Sequence, residues 1–375
     1  MRGAFLLVFL FCLCATQIYG QPIVWDRGSM RKVSAPAKHY TSYPRMIELQ
    51  DQSWLCIYES DGDIVCAESV DKGNSWKRIS IVAERKPSVN MCVPSMIQLK
   101  DGSLLAMYNP RPTKNNTEHH FEIRTKKSND LGLTWHDERL VYQAGNEFKN
   151  GCWEPAAIQL PDGAIQLFFA NEGLYLSSDE QNISRSTSFD NGLTWSKVPT
   201  IVSFRAGFRD GMPVPLLIDD HRLAIAIEDN GMQQFKPYII YGNAKNDHAY
   251  PVLAKDSNRA YALKHKLADS IYAGAPYLCR TQNGLTLLSY QGTEGRKNKM
   301  KYADMKVVVG DRFAANFEHC TTPFLIPPDK SALWNSLAVT SDGTVVALTA
   351  TNAFGKGQTE IWLIKGQLKH REPER

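Results

Sequence analysis

Long apolar runs are nearly missing from this chain of 375 residues. Only Ala4 to Cys14 is continuously apolar, and it is too short for the roughly 20 residues that a membrane-spanning helix needs. Charge of one sign is also scarce, because 43 Lys and Arg face 39 Asp and Glu and the net charge is +4. No basic cluster interleaved with aromatics remains to make a nucleic-acid groove, so nucleic acid is not an expected partner. The nine histidines include no His-Glu-x-x-His spacing and the eight cysteines no zinc spacing, so neither a metal nor another cofactor is expected.

What is present begins with a leader. Arg2, the Ala4 to Cys14 run and the small Gly20 before Gln21 have the layout of a cleaved signal peptide over residues 1–20, and no basic stop-transfer flank follows. A secreted or periplasmic protein is expected, with six cysteines left whose pairing the spacings do not reveal. Asn115 and Asn182 stand in glycosylation sequons. The tail from Lys369 is expected to be loose.

The remaining chain is organised by one repeated unit, most visible from Cys152 to Glu172, where two strand-like runs flank Asp162-Gly163. Asp-Gly suits the positive φ of a tight hairpin. Equivalent turns fall at Asp51, Asp101, Asp220, Asn283 and Asp342, so six copies recur at separations of 50, 61, 58, 63 and 59. Seven residues before each turn stand Pro44, Pro94, Pro155, Pro213, Pro276 and Asn335. Gly follows the turn residue in four copies, while Gln52 and His221 take its place in the other two and imply a different turn there. A period near 60 with several short strands per unit predicts an all-β, six-bladed β-propeller with four-stranded antiparallel blades. Residues 21–375 make one such domain, about 59 residues per blade, expected as a monomer. Pro22 to Trp25 is expected to close the ring by joining the last blade.

Three copies carry a second motif: Ser69-x-Asp71-x-Gly73-x-Ser75-Trp76, Ser128-x-Asp130-x-Gly132-x-Thr134-Trp135 and Ser188-x-Asp190-x-Gly192-x-Thr194-Trp195. Their Asp and Ser side chains suit turn amides, so these aspartates read as structural.

Function is then sought at the open ends of the hairpins. In a propeller the first strand of each blade lines the axis, which predicts that positions eight before and eight after each turn stand side by side at one rim. The first set is Tyr43, Val93, Glu154, Met212, Ala275 and Trp334; the second is Glu59, Asn109, Ala170, Glu228, Gln291 and Ala350. Polar groups gathered at one mouth suggest a site. Glu154 and Glu228 fall on consecutive blades at similar height, and two carboxyls there suit glycoside hydrolysis, one as acid and one as nucleophile or base. Trp153 beside Glu154 favours that residue as the protonated partner. Arg45, Arg209 and Asp210 fall at the same rim, and Tyr43, Trp153, Tyr290 and Trp334 offer aromatic faces to a sugar, although Tyr290, like Tyr58 and Tyr108, sits where core packing is expected. The plain alternative for either glutamate is a structural ion pair with Arg45 or Arg209.

The Asp-x-Gly motifs are similar to the Asp-boxes of the sialidase superfamily. Tyr43-Pro-Arg45, Trp153-Glu154-Pro155, Arg209-Asp-Gly-Met-Pro213 with Glu228, and Gly274-Ala-Pro276 through Ser289-Tyr290-Gln291 resemble glycoside hydrolase family 93. That resemblance implies a retaining exo-1,5-α-L-arabinanase releasing arabinobiose from linear arabinan, with Glu154 and Glu228 as its two catalytic glutamates. An exo-sialidase would instead need three arginines around a sugar carboxylate; Arg45, Arg209 and Arg296 are the candidates, although Ile47 replaces the proline of the usual Arg-Ile-Pro. A carbohydrate-binding propeller without catalysis is the third reading.

Overall fold

A computed structural model describes residues 22–245, 250–355 and 357–369. The expected signal peptide and most of the tail lie outside the described residues. Within them the chain forms six four-stranded antiparallel sheets and no α-helix.

Blade I holds β1 to β4 (Thr41–Glu48, Trp54–Ser60, Asp63–Ser69, Lys77–Ala83), and blade II holds β5 to β8 (Val89–Gln98, Leu104–Pro112, Glu122–Ser128, His136–Gln143). Blade III holds β9 to β12 (Cys152–Gln159, Ile165–Asn171, Asn182–Ser188, Thr200–Ser203), and blade IV holds β13 to β16 (Asp210–Leu217, Arg222–Met232, Gln234–Asn243, Arg259–Tyr261). Blade V holds β17 to β20 (Ala273–Arg280, Thr286–Gly292, Asp304–Gly310, Glu318–Thr321). Blade VI holds β21 to β23 (Ala332–Val339, Val345–Thr351, Glu360–Leu368), and its outermost place is filled from the other end of the chain by Ile23–Lys32, β24 in this scheme. Ile23 pairs with Leu368 and Lys32 with Trp362, so this closing strand joins the last blade as the sequence predicts.

Each sheet is covered on both faces by its neighbours, which is why the second strands are apolar on both faces and wholly buried in β2, β10, β18 and β22. Six apolar clusters fill the six gaps between blades. Tyr58, Tyr108 and Tyr290 belong to them. Tyr290 donates to Glu294 Oε1 at 2.7 Å and is therefore a core residue, away from the mouth. Cys56 and Cys66 lie on adjacent strands but face different gaps, and all six described cysteines are free.

The turns refine the sequence reading. Gly102, Gly163, Gly284 and Gly343 have φ between 82° and 94°. Gln52 takes the same left-handed conformation at φ 69° and its N–H closes on Leu49 O as Gly102 closes on Leu99 O, so it keeps the turn it was expected to change. His221 does depart: Asp219 accepts from the amides of His221 and Arg222 instead. In the three Asp-x-Gly motifs one aspartate ties the loop; Asp71 accepts from Ser69 Oγ, the Ser75 amide and Ser75 Oγ at 2.6–2.9 Å, and Asp130 and Asp190 repeat this. Trp76, Trp135 and Trp195 pack into neighbouring clusters. Asn182 is fully buried and donates to Tyr175 Oη, which removes it as a glycosylation site, while Asn115 stays exposed.

Candidate active site

Seven residues before the turn, inside an inner strand, five blades carry a proline, which has no N–H to give to the ladder, and the sixth carries Asn335. All six strands bulge there, the one with Asn335 included, so the bulge does not depend on the proline. Register shifts between Ser42 and Arg45, Cys92 and Ser95, Trp153 and Ala156, Gly211 and Val214, Gly274 and Tyr277, and Leu333 and Ser336. The residue eight after the turn therefore faces the one nine before it: Glu59 pairs with Ser42 and Glu228 with Gly211. That corrects the expected side-by-side pairing by one position.

The bulge residues are the minus-eight set itself, all left-handed: Tyr43 (φ 49°), Val93 (46°), Glu154 (57°), Met212 (52°), Ala275 (48°) and Trp334 (55°). For non-glycine residues this conformation costs on the order of 1 kcal/mol or more each and persists only where surroundings enforce it. The bulges gather these side chains on the axis, where Tyr43, Val93, Met212, Ala275 and Trp334 pack together with Cys92. Tyr43 and Trp334 stack at 4.5 Å between ring centroids, 16° from parallel. Glu154 is the one polar member of this ring, half-buried on the boundary between the mouth and an axial channel of about 220 Å³.

The freed amides of the bulges explain the polar plus-eight set. Glu59 Oε1 accepts from the Val93 amide at 2.5 Å, Glu228 Oε2 from Ala275 at 2.7 Å, and Gln291 Oε1 from Trp334 at 2.9 Å, each reaching to the next blade. In blade III the plus-eight residue is Ala170, and Glu154 Oε2 takes the Met212 amide itself at 3.2 Å. Glu59 and Gln291 are buried and serve as caps; Gln291 also donates to Tyr272 Oη at 2.7 Å. Asn109 is buried as well, donating to Glu122 O at 2.7 Å and accepting from Arg111 Nε at 2.6 Å. These three residues, expected to touch a ligand, instead build the walls.

Glu228 differs from its fellow caps because it is only partly buried and because the charge of Glu154 acts on its carboxyl. Its Oε1 lies 3.1 Å from where a Cβ on Gly211 would sit, and Glu154 binds the next amide along, so both carboxyls address the Gly211–Met212 peptide. Its Oε2 lies 2.5 Å, and Tyr272 Oη 2.6 Å, from the place of a Cβ on Gly274. Only glycine leaves room there. Burial first, and the charge of Glu154 second, push the Glu228 carboxyl up to about 8. Burial raises Glu154 too, but the Arg111 guanidinium pulls it back most strongly. Burial thus raises both carboxyls, and Arg111 opposes the rise at Glu154 but not at Glu228, which favours the proton on Glu228 where Trp153 had suggested Glu154. Among the described residues neither glutamate has an ion-pair partner, so the salt-bridge alternative is absent.

The expected arginines are committed elsewhere. Arg45 is buried in the channel, donating to the carbonyls of Pro44 (2.8 Å), Trp334 and Asn335 (both 3.3 Å) with Tyr277 stacked at 5.0 Å. Arg209 reaches the mouth but binds Glu172 and Gln181 Oε1. Asp210 is fully buried in an ionic cluster: Arg259 bonds Asp210 at 2.5 and 2.9 Å and Asp229 at 2.7 Å, and Arg205 bonds Asp229 at 2.9 Å. It is scaffold behind Glu228, not a surface for ligand. Trp153 forms wall packing with Phe121 at 4.9 Å. Sequence reasoning missed Arg111, which lies over the Trp153 ring at 4.7 Å. Its signal was parity: two residues beyond Asn109 on one strand, it shares that residue's face.

No family model and no curated protein matches the chain. Solved structures do. The GH93 α-L-arabinofuranosidase of Fusarium graminearum, in complex with arabinobiose, superposes with a TM-score of 0.67 at 19% identity over 89% of this chain and 97% of that one. The Penicillium chrysogenum α-L-arabinanase with arabinobiose gives 0.63 at 17% over 92% and 97%. NanB sialidase from Streptococcus pneumoniae gives 0.62 at 11% over 93% and 71%. The fold is thus a sialidase-like six-bladed propeller resembling that of GH93 enzymes.

Proposed function

We propose that the protein is a secreted, retaining, exo-acting glycoside hydrolase, an exo-α-1,5-L-arabinanase releasing arabinobiose from linear arabinan. One observation carries this reading: Glu228, unlike the buried caps Glu59 and Gln291, is only partly buried and shares the Gly211–Met212 peptide with a second acid, Glu154. A half-buried acid raised to about 8, beside a second acid and without a counter-ion, is costly scaffolding and suitable acid–base machinery.

In the proposed reaction Glu228 protonates the leaving glycosidic oxygen while ionised Glu154 attacks the anomeric carbon, giving a glycosyl ester; Glu228 then deprotonates the water that releases the sugar. The stacked Tyr43 and Trp334 form an apolar floor for the sugar ring. Against the sialidase reading, all three candidate arginines are occupied, Arg296 by the carbonyls of Tyr302, Ile326, Pro327 and Lys330. None is left free to clamp a carboxylate. Incubation with linear arabinan and, separately, with a sialyl conjugate tests the choice: released disaccharide supports the proposal, released sialic acid supports the rival, and binding without release supports a lectin.

A further inference from the structure

Arg111 is held from two sides. Asn109 Oδ1 takes its Nε proton at 2.6 Å, and the Trp153 ring lies 4.7 Å beneath the guanidinium. Asn109 is itself fixed by Glu122 O, so the clamp reaches back to β7. One guanidinium nitrogen, Nη2, is buried without a hydrogen-bond partner, and no carboxylate among the described residues lies within ion-pair distance of the side chain. A buried cation left unpaired is expensive, and a fold keeps one where its field is used. Trp153, on which it rests, is the residue before Glu154.

We infer that Arg111 is the positioning residue that divides the labour between the two carboxyls, holding a fixed positive charge beside Glu154 and none beside Glu228. The inference rests on the glycosidase reading above. Other groups facing this corner leave the role to Arg111. Arg45 and Arg209, engaged with carbonyls and with Glu172, also favour the ionised form of Glu154 but less than Arg111 does, and Arg209 favours the ionised form of Glu228 too. Tyr43, Tyr272, Cys92 and Cys152 are neutral, because burial raises each of them. The acids Glu59, Glu172 and Glu228 are raised by burial as well; Glu172 is paired with Arg209, and none of the three lies within ion-pair distance of Arg111. Arg111 is the first charge opposing the rise of Glu154 and is absent from the groups acting on Glu228. It touches no bond that breaks; it acts through Glu154.

The test is the pH profile of kcat/KM on linear arabinan, together with a ¹³C-carboxyl NMR titration of the ligand-free protein. Removing a positive charge disfavours the ionised form, so Arg111→Gln should move the acid limb and the Glu154 titration upward together by about one pH unit or more. The rate at pH 5 should then fall about tenfold further than the rate near pH 7. Arg111→Lys keeps the charge and should restore most of the limb. Asn109→Ala loosens the clamp and should move it part of the way, which keeps the test open if Arg111→Gln fails to fold. An active enzyme whose acid limb stays put in folded Arg111→Gln overturns the role of Arg111 while leaving the glycosidase reading intact. A wild-type protein that cleaves no glycan overturns the reading beneath it, whatever Glu154 titrates at.

Discussion

Replacing Glu228 by Gln should make the protein more stable and inactive at once, and the stability gain should depend on pH. The folded pKa of about 8 stands above the ordinary 4.5, so the folded protein holds a proton there that the unfolded chain has lost. Wild-type stability is therefore undiminished below about pH 4.5, declines as pH rises toward 8, and is level above that. A shift of roughly 3.5 units at about 1.4 kcal/mol each sets an upper bound near 5 kcal/mol. The side chain is partly exposed, and solvent screening brings the expected loss to about 2 kcal/mol. Gln keeps the acceptor oxygen for the Ala275 amide, as Gln291 does for Trp334, and carries no charge. The variant should thus match the wild type at pH 4.5 and exceed it by about 2 kcal/mol at pH 8.5, close to 3 °C in melting temperature for a chain of this size. Thermal unfolding at the two pH values, with urea titrations beside it, measures both ends. A variant less stable than wild type at pH 8.5, or a difference that ignores pH, would refute the claim that Glu228 is an acid held against its own solvation.

Gly274→Ala should cut kcat tenfold or more with a melting temperature within a few degrees of wild type, because the new Cβ meets Glu228 Oε2 and Tyr272 Oη, and the flexible glutamate yields first; steady-state kinetics with differential scanning fluorimetry check it. Arg259→Leu leaves Asp210 and Asp229 buried without their shared cation and should cost about 3 to 5 kcal/mol in urea denaturation, part of it recovered by adding Asp210→Asn.

The ring was legible because its signals are local and repeated. Turn residues at a fixed period, a proline at a fixed offset and a lone strand before the first unit suffice to give six blades and their closure. Glu154 stood out as the one acid among five apolar counterparts, and Glu228 as an acid leaving an apolar strand. The rest depended on contacts the pattern does not carry. The caps made by Glu59 and Gln291 reach amides 34 and 43 residues away, so their polarity read as a binding site. The prolines marked the repeat, but the bulges that aim Glu154 inward and shift the register by one also form at Asn335, where no proline stands, and nothing in the pattern announced them. Asp210 looked available until Arg259, 49 residues on, closed over it. Arg111 had no motif at all.

A 2-deoxy-2-fluoro arabinofuranoside with a good leaving group, incubated with the protein and followed by peptide mass spectrometry, tests the two-carboxyl site most directly. One covalent label per chain on Glu154, with turnover of the adduct slowed in Glu228→Gln, is the expected result. A label on a tyrosine, or hydrolysis of the unfluorinated substrate with inverted configuration at the anomeric carbon, would contradict it.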